Sequence, residues 1–241
     1  MDILKSSEYI NEKLNIKPVT KTRLSDMSIE PTHDKNIQDF INVCNLKYNR
    51  ASQRYDSNRG VIITDEILID GKFPIKFGDI KGGFICNYCE TLVSLEGAPI
   101  HSQSFECTHC GNLKSLEGSP KTVDGLFNCS NCKNLESFNG APKSIGSLLA
   151  VGTTVKTLEG LPQRIDGYVD CSMSKNIEST KGAPQYIGGD FDLHGCENLK
   201  RLEDSPTYVG GDFNLKDCPN ILSGEKKNLP QKVNGEIIWN I

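Results

Sequence analysis

From Phe84 to the last residue one phrase recurs, F-x-C-x-x-C-x-x-L-x-S-L-E-G-A-P-x-x-V-G-G, and this periodicity constrains the fold more than any other feature of the chain. Prolines mark the beat at Pro99, Pro120, Pro142, Pro162, Pro184, Pro206 and Pro230, separated by 21, 22, 20, 22, 22 and 24 residues. A repeat of this length forms one supersecondary unit whose apolar face it cannot bury alone, so coils must stack and share a core. The expected fold is a mainly β repeat solenoid of about seven to eight coils of 20–24 residues, preceded by a short α-helical segment.

Aligned on the prolines, the coils separate into columns. Phe84, Phe105, Phe127, Leu148, Val169, Phe191, Phe213 and Ile237 are always apolar, and two residues on stand Cys86, Cys107, Cys129, Ala150, Cys171, Leu193, Leu215 and Trp239. A spacing of two puts both columns on one face of a strand, and the exchange of Cys with Ala and Leu marks the second as apolar filling. Three residues further come Cys89, Cys110, Cys132, Ser174, Cys196 and Cys218. A return leg repeats Val123, Ile145, Ile165, Ile187, Val209 and Val233, three residues after each proline. Glycines in Asp124-Gly125, Gly188-Gly189 and Gly210-Gly211 precede the strands and are expected to turn the chain through positive φ. They also leave open a β-solenoid with two strands per coil.

The phrase F-x-C-x-x-C-x-x-L-x-x-L resembles the leucine-rich-repeat core L-x-L-x-x-[N/C]-x-L over about residues 80–241, with phenylalanine in a leucine slot and one residue added after the cysteine. The resemblance implies leucine-rich-repeat-like coils whose Asn or Cys column lies at the bend after the strand and bonds backbone groups left unpaired there. That role falls to Cys89, Cys110, Cys132, Cys196 and Cys218, and to Ser174. L-E-G-A-P-x-x-V-G-G is similar to repeats of bacterial and tailed-bacteriophage proteins, and YINEKLNIKPVTKTRL to short leaders on phage proteins. This similarity implies a phage-encoded factor acting on a host or viral protein.

Residues 1–58 read as a helical segment with linker, 59–80 as capping strands and 81–241 as the solenoid. Ser7 is suited to cap a helix running through Leu14, and Lys17 to Pro31 reads as linker. Ile37, Phe40, Ile41 and Cys44 stripe one face of a second helix from about Asp34 to Leu46. Val61-Ile62-Ile63 and Ile67-Leu68-Ile69, followed by Asp70-Gly71, read as short strands with a tight turn that cover the raw edge of the first coil.

Charge is concentrated on the array: residues 1–58 carry nine Lys or Arg against eight Asp or Glu, and residues 59–241 carry 18 against 23. An acidic array without a basic stripe disfavours nucleic acid, and no stretch approaches the roughly 18 apolar residues of a membrane span. The start of the chain lacks the pattern of a secretory leader, so the expected compartment is the cytoplasm, with the ten cysteines as reduced thiols. Four scattered histidines and the lack of HExxH, GxSxG or GxxxxGK[ST] argue against an enzyme. Metal is the sharpest rival, because Cys86-x-x-Cys89, Cys107-x-x-Cys110 and Cys129-x-x-Cys132 have zinc spacing. Since these cysteines recur with the repeat they read as a core ladder without a cofactor, a zinc-stabilised binding module being the alternative.

The outward strand columns vary from coil to coil, as recognition surfaces on repeat scaffolds do. Tyr168, Asp170, Asp190, Asp192 and Asp212 set acid around one aromatic, with His194 alongside. The irregular run Leu148-Leu149-Ala150-Val151 offers a bulge or an apolar anchor at Leu149. The expected function is a non-enzymatic scaffold that binds a partner protein with a basic surface segment through its exposed strand face. A structural virion component is a further alternative, and turn-forming preference is the competing explanation of the aspartates.

Overall fold

Alternation places each Phe and its Cys neighbour on the inner side of a short strand, and strands from successive coils pair in parallel. The computed structural model describes residues 35–239, which form a mainly β solenoid of about eight turns with few helices. The expected helix at Ser7 and the linker from Lys17 to Pro31 lie outside the described residues.

The N-terminal end is closed by α1 (Lys35–Val43), whose stripe buries Ile37, Phe40 and Ile41. The Phe40 ring meets Phe77 edge-on at 6.4 Å. β1 (Lys47–Asn49) and β2 (Arg54–Ser57) pair antiparallel, and β2 then runs parallel beside β4 (Phe77–Ile85). β3 (Val61–Ile62) pairs with the far end of β4. Ile67 to Ile69 form no strand of the sheet. The tight turn is present, with Ile69 and Lys72 exchanging backbone bonds of 3.0 Å around Asp70-Gly71.

Beyond the cap, β5 (His101–Glu106), β6 (Thr122–Asn128) and β7 (Ser144–Leu149) are long enough to carry both legs of a coil. Later coils divide the legs. β9 (Val169–Asp170), β11 (Phe191–Asp192), β13 (Phe213–Leu215) and β15 (Ile237–Trp239) continue the large sheet. β8 (Arg164–Ile165), β10 (Tyr186–Ile187), β12 (Tyr208–Val209) and β14 (Lys232–Val233) form a separate parallel sheet of four strands. The register is residue for residue, so Phe84, Phe105, Phe127, Leu148, Val169, Phe191, Phe213 and Ile237 lie in one line. Phe84 stacks on Phe105 and Phe105 on Phe127 at 5.5 Å, and Phe191 on Phe213 at 5.0 Å. One contiguous core runs from Ile37 to Cys218.

The glycines before the strands do something other than turn the chain. None of Gly82, Gly125, Gly146, Gly188 or Gly210 lies in the left-handed region. A Cβ on Gly188 or Gly210 would instead fall 2.0 Å from the carbonyl oxygen of Asp166 or Gly188 one coil earlier. Glycine is there to let backbones of adjacent coils touch. Left-handed glycines lie instead at the L-E-G corner, as at Gly160 with φ +102°, and at the bend after the strand, as at Gly152 and Gly195.

One side chain breaks the pattern of the return leg. Ser102 sits in register with Ile80 and Val123, is fully buried, and its hydroxyl has no partner among the described residues. Removing an unpaired buried hydroxyl relieves a desolvation penalty, so Ser102→Ala is expected to stabilise the protein by about 1 kcal/mol in denaturant unfolding.

Candidate functional site: the outward strand face

Parallel pairing turns each sequence column into a straight row. Leu149 pairs with Asp170, Asp170 with Asp192, and Asp192 with Asn214. Beside it runs a second row, because the Tyr168 carbonyl accepts from Leu148, the Asp190 carbonyl from Val169 and the Asp212 carbonyl from Phe191, at 2.8–2.9 Å. The fold therefore brings Tyr168, Asp170, Asp190, Asp192 and Asp212 onto one face, with the Tyr168 ring 38% exposed among them. Glu236 extends the second row by one rung, its carbonyl accepting from Phe213 at 2.8 Å. The sequence reading passed over Glu236, although column alignment was enough to find it.

Each aspartate also has a local task. Asp170 Oδ1 accepts the Ser172 N–H at 2.9 Å and Asp192 Oδ1 the His194 N–H at 2.7 Å, while Asp192 Oδ2 receives Asn214 Nδ2 at 3.2 Å. Asp190 Oδ1 accepts from Asp212 N–H and Asp212 Oδ1 from Glu236 N–H, both at 2.8 Å. These bonds satisfy donors freed by the turns, and they also hold the carboxylates in place. Asn128 and Asn214 make the same i to i+2 bond on other rungs, to Ser130 and Lys216 at 3.1 and 3.0 Å.

His194 lies at the margin of this face, with Nδ1 3.1 Å from the Lys216 carbonyl oxygen and 3.5 Å from Asp217 Oδ2. Leu149 is half-buried, and no bulge occurs there. The ladder passes straight through, with Cys129 N–H to the Leu149 oxygen at 2.9 Å and Ala150 N–H to the Asp170 oxygen at 2.7 Å. Register shifts occur at the corners between the two legs instead, as between Val123 and Leu126.

Behind the face, each coil leaves the strand through a left-handed residue: Tyr88, His109, Asn131, Gly152, Met173, Gly195 or Asp217. The next residue plugs the bend. Cys110 Sγ donates to the Cys86 oxygen at 3.1 Å, Cys132 to Cys107 at 3.0 Å, Cys196 to Cys171 at 3.4 Å and Cys218 to Leu193 at 3.1 Å. Ser174 Oγ makes the equivalent bond to Ala150 at 3.0 Å. Thr153, which the sequence reading left out of this column, bonds Ser174 Oγ at 3.1 Å and fills the bend of the coil lacking a cysteine pair.

The same geometry does not fit zinc. Cys86, Cys89, Cys107, Cys110, Cys129 and Cys132 are all fully buried free thiols. Among the described residues no three His, Cys, Asp or Glu side chains converge as ligands. The Cys110 and Cys132 thiols spend their protons on neighbouring carbonyls, and burial pushes the Cys86 and Cys129 thiols well up from the usual value. Tetrahedral zinc needs four clustered thiolates or imidazoles, and this ladder sets its thiols out in a row instead.

No family model, curated protein or solved structure matches the chain. Among the described residues no helix is long and apolar enough to cross a membrane.

Proposed function

We propose that the solenoid is a non-enzymatic scaffold that binds a basic segment of a partner protein through the face carrying Tyr168, Asp170, Asp190, Asp192 and Asp212. One observation carries this reading: Asn128 and Asn214 perform the turn bond of Asp170 and Asp192, so the backbone needs an acceptor there and not a charge. The charge is surplus to folding and faces solvent around an exposed aromatic ring, the composition of an interface anchor with electrostatic complementarity. The resemblance of the repeats to bacterial and tailed-bacteriophage proteins supports a phage-encoded factor with a host or viral protein as target, acting in the host cytoplasm.

The same observation supplies a test that leaves the fold alone. A partner is captured on immobilised protein and its affinity measured for wild type and for Tyr168→Ala combined with Asp170→Asn and Asp192→Asn. The asparagines keep the turn acceptors, so the unfolding midpoint should hold while affinity falls by about tenfold or more. Unchanged affinity in a folded triple variant would remove this face from the reading.

A further inference from the structure

The two poles of the solenoid are finished differently. At one, α1 lays Ile37, Phe40 and Ile41 over the first coil. At the other, β15 is the outer strand of the large sheet and β14 that of the small one. The 3₁₀ helix Ser223–Asn228 beside them buries none of its own residues, so it is no counterpart of α1. The core columns therefore reach solvent at this pole. Val169, Phe191 and Phe213 are fully buried, whereas Ile237 in the same line is 40% exposed, and Leu222 of the same coil is 51% exposed.

The outer side of β15 is unpaired in a definite pattern. Val169, Phe191 and Phe213 each donate a backbone N–H to the next coil at 2.8 Å, and Cys171 and Leu193 do so at 2.9 Å. Ile237 and Trp239 occupy these two columns, and among the described residues no strand follows them. The N–H and C=O of one strand residue point to the same side, so both residues present a donor and an acceptor outward, while those of Ile238 turn back toward β13. Edge strands are ordinarily guarded by lysine, proline or a bulge. Ile237-Ile238-Trp239 carries no such residue, although β14 has Lys232.

We infer that β15 pairs antiparallel with β15 of a second copy of this chain, about a two-fold axis through Ile238. The register is self-complementary: Ile237 faces Trp239 of the second copy and exchanges both backbone bonds with it, and Trp239 does the same with Ile237 of the second copy. An axis normal to the sheet brings inner face beside inner face, so each exposed Ile237 side chain meets a Trp239 ring and the core continues across the joint. A standard interface takes about 20–30 residues a side, the size of one coil. Glu236 and its copy fall on opposite sides of the axis, roughly 14 Å apart along the strands, which is beyond a Debye length in physiological salt. Growth stops at two chains, because at the other pole the core lies under α1 and the outer strand β1 carries Lys47 and buries none of its residues. The pairing does not depend on what the strand face binds, though it sets two such faces side by side.

Sedimentation of the full chain should show a concentration-dependent mass rising toward twice 26.6 kDa. Trp239 is the single tryptophan of the chain, so its emission should move to shorter wavelength over the same range of concentration. Ile237→Lys, with folding verified by circular dichroism, should weaken association by about tenfold or more and remove the fluorescence change. Tyr168→Ala with Asp170→Asn and Asp192→Asn should associate like the wild type. The axis puts the two Ile238 Cα atoms about 4.5 Å apart, within disulfide range. Ile238→Cys should therefore give a covalent dimer on mild oxidation, and Asn214→Cys, one rung back in the same column, should not. Association indifferent to Ile237→Lys, oligomers that grow without limit, or equal cross-linking of the two cysteine variants would each overturn the inference. So would a monomer at every concentration, including one whose Trp239 is already shielded because another part of the same chain covers the edge.

Discussion

Gly210→Ala is expected to cost about 3–5 kcal/mol and to shift urea unfolding accordingly, or to prevent folding. Its Cβ would fall 2.0 Å from the Gly188 carbonyl oxygen and 2.7 Å from the Gly188 carbonyl carbon, and those atoms belong to the backbone of the preceding coil. A flexible side chain can swing aside; a hydrogen-bonded backbone cannot move without breaking the ladder on both sides. Gly111→Ala is the matched control, because nothing lies within 4 Å of the added Cβ, and it should change stability by less than about 0.5 kcal/mol. Equal midpoints for the two variants, followed by circular dichroism, would refute close coil contact as the reason for these glycines.

The thiol column predicts an alkaline limit. Cys218 is pushed by burial from 9.0 up to about 11, and Cys44 likewise, while burial drives Cys86, Cys129 and Cys171 well above the usual value. A thiol with a folded value above its unfolded one binds more protons when folded than when unfolded once the pH exceeds 9. Its contribution is therefore complete below pH 9 and lost as the pH climbs through the folded value. Each partly shielded thiol contributes roughly 1–2 kcal/mol after allowance for solvent screening. Summed over these five thiols, the losses should unfold the protein between about pH 9 and 11. Replacing Cys171 and Cys129 with alanine, the residue that Ala150 already supplies in the same column, should flatten the slope even though it costs stability at pH 7. A pH-independent midpoint from 8 to 11 in reducing buffer would count against buried, protonated thiols.

Much of the architecture was legible because a repeat measures itself. One coil with Phe84 and Cys86 is a weak hint, but recurrence at Phe105 and Cys107, then Phe127 and Cys129, separates what packing needs from what varies. That comparison yielded the core columns, the bend cysteines and the row of outward acids. It misassigned the glycines before the strands, since a requirement for positive φ and a requirement for no Cβ leave the same residue in the sequence. It also left Leu149 open between a bulge and an apolar anchor, because an extra apolar residue in a strand reads the same whether the ladder deviates or continues.

The candidate site was legible only as a list. Tyr168 and Asp190 are 22 residues apart, and their adjacency follows from the repeat period, but the second use of each aspartate, as acceptor for a turn N–H, was not. A side-chain oxygen reaches a backbone donor only in one local geometry, and composition carries no trace of it. The cation–π stack of Arg164, Tyr186, Tyr208 and Lys232 was likewise unseen, though its members share one return-leg column.

Period and apolar spacing were enough to require a stacked coil with a continuous interior, because no single coil of this length can bury its own apolar face. The lapse of return-leg strand pairing between coils four and five came from packing. A coil shorter than its neighbours must give up pairing somewhere, and which leg yields depends on where the glycine corners and phenylalanine rings already hold the backbones together.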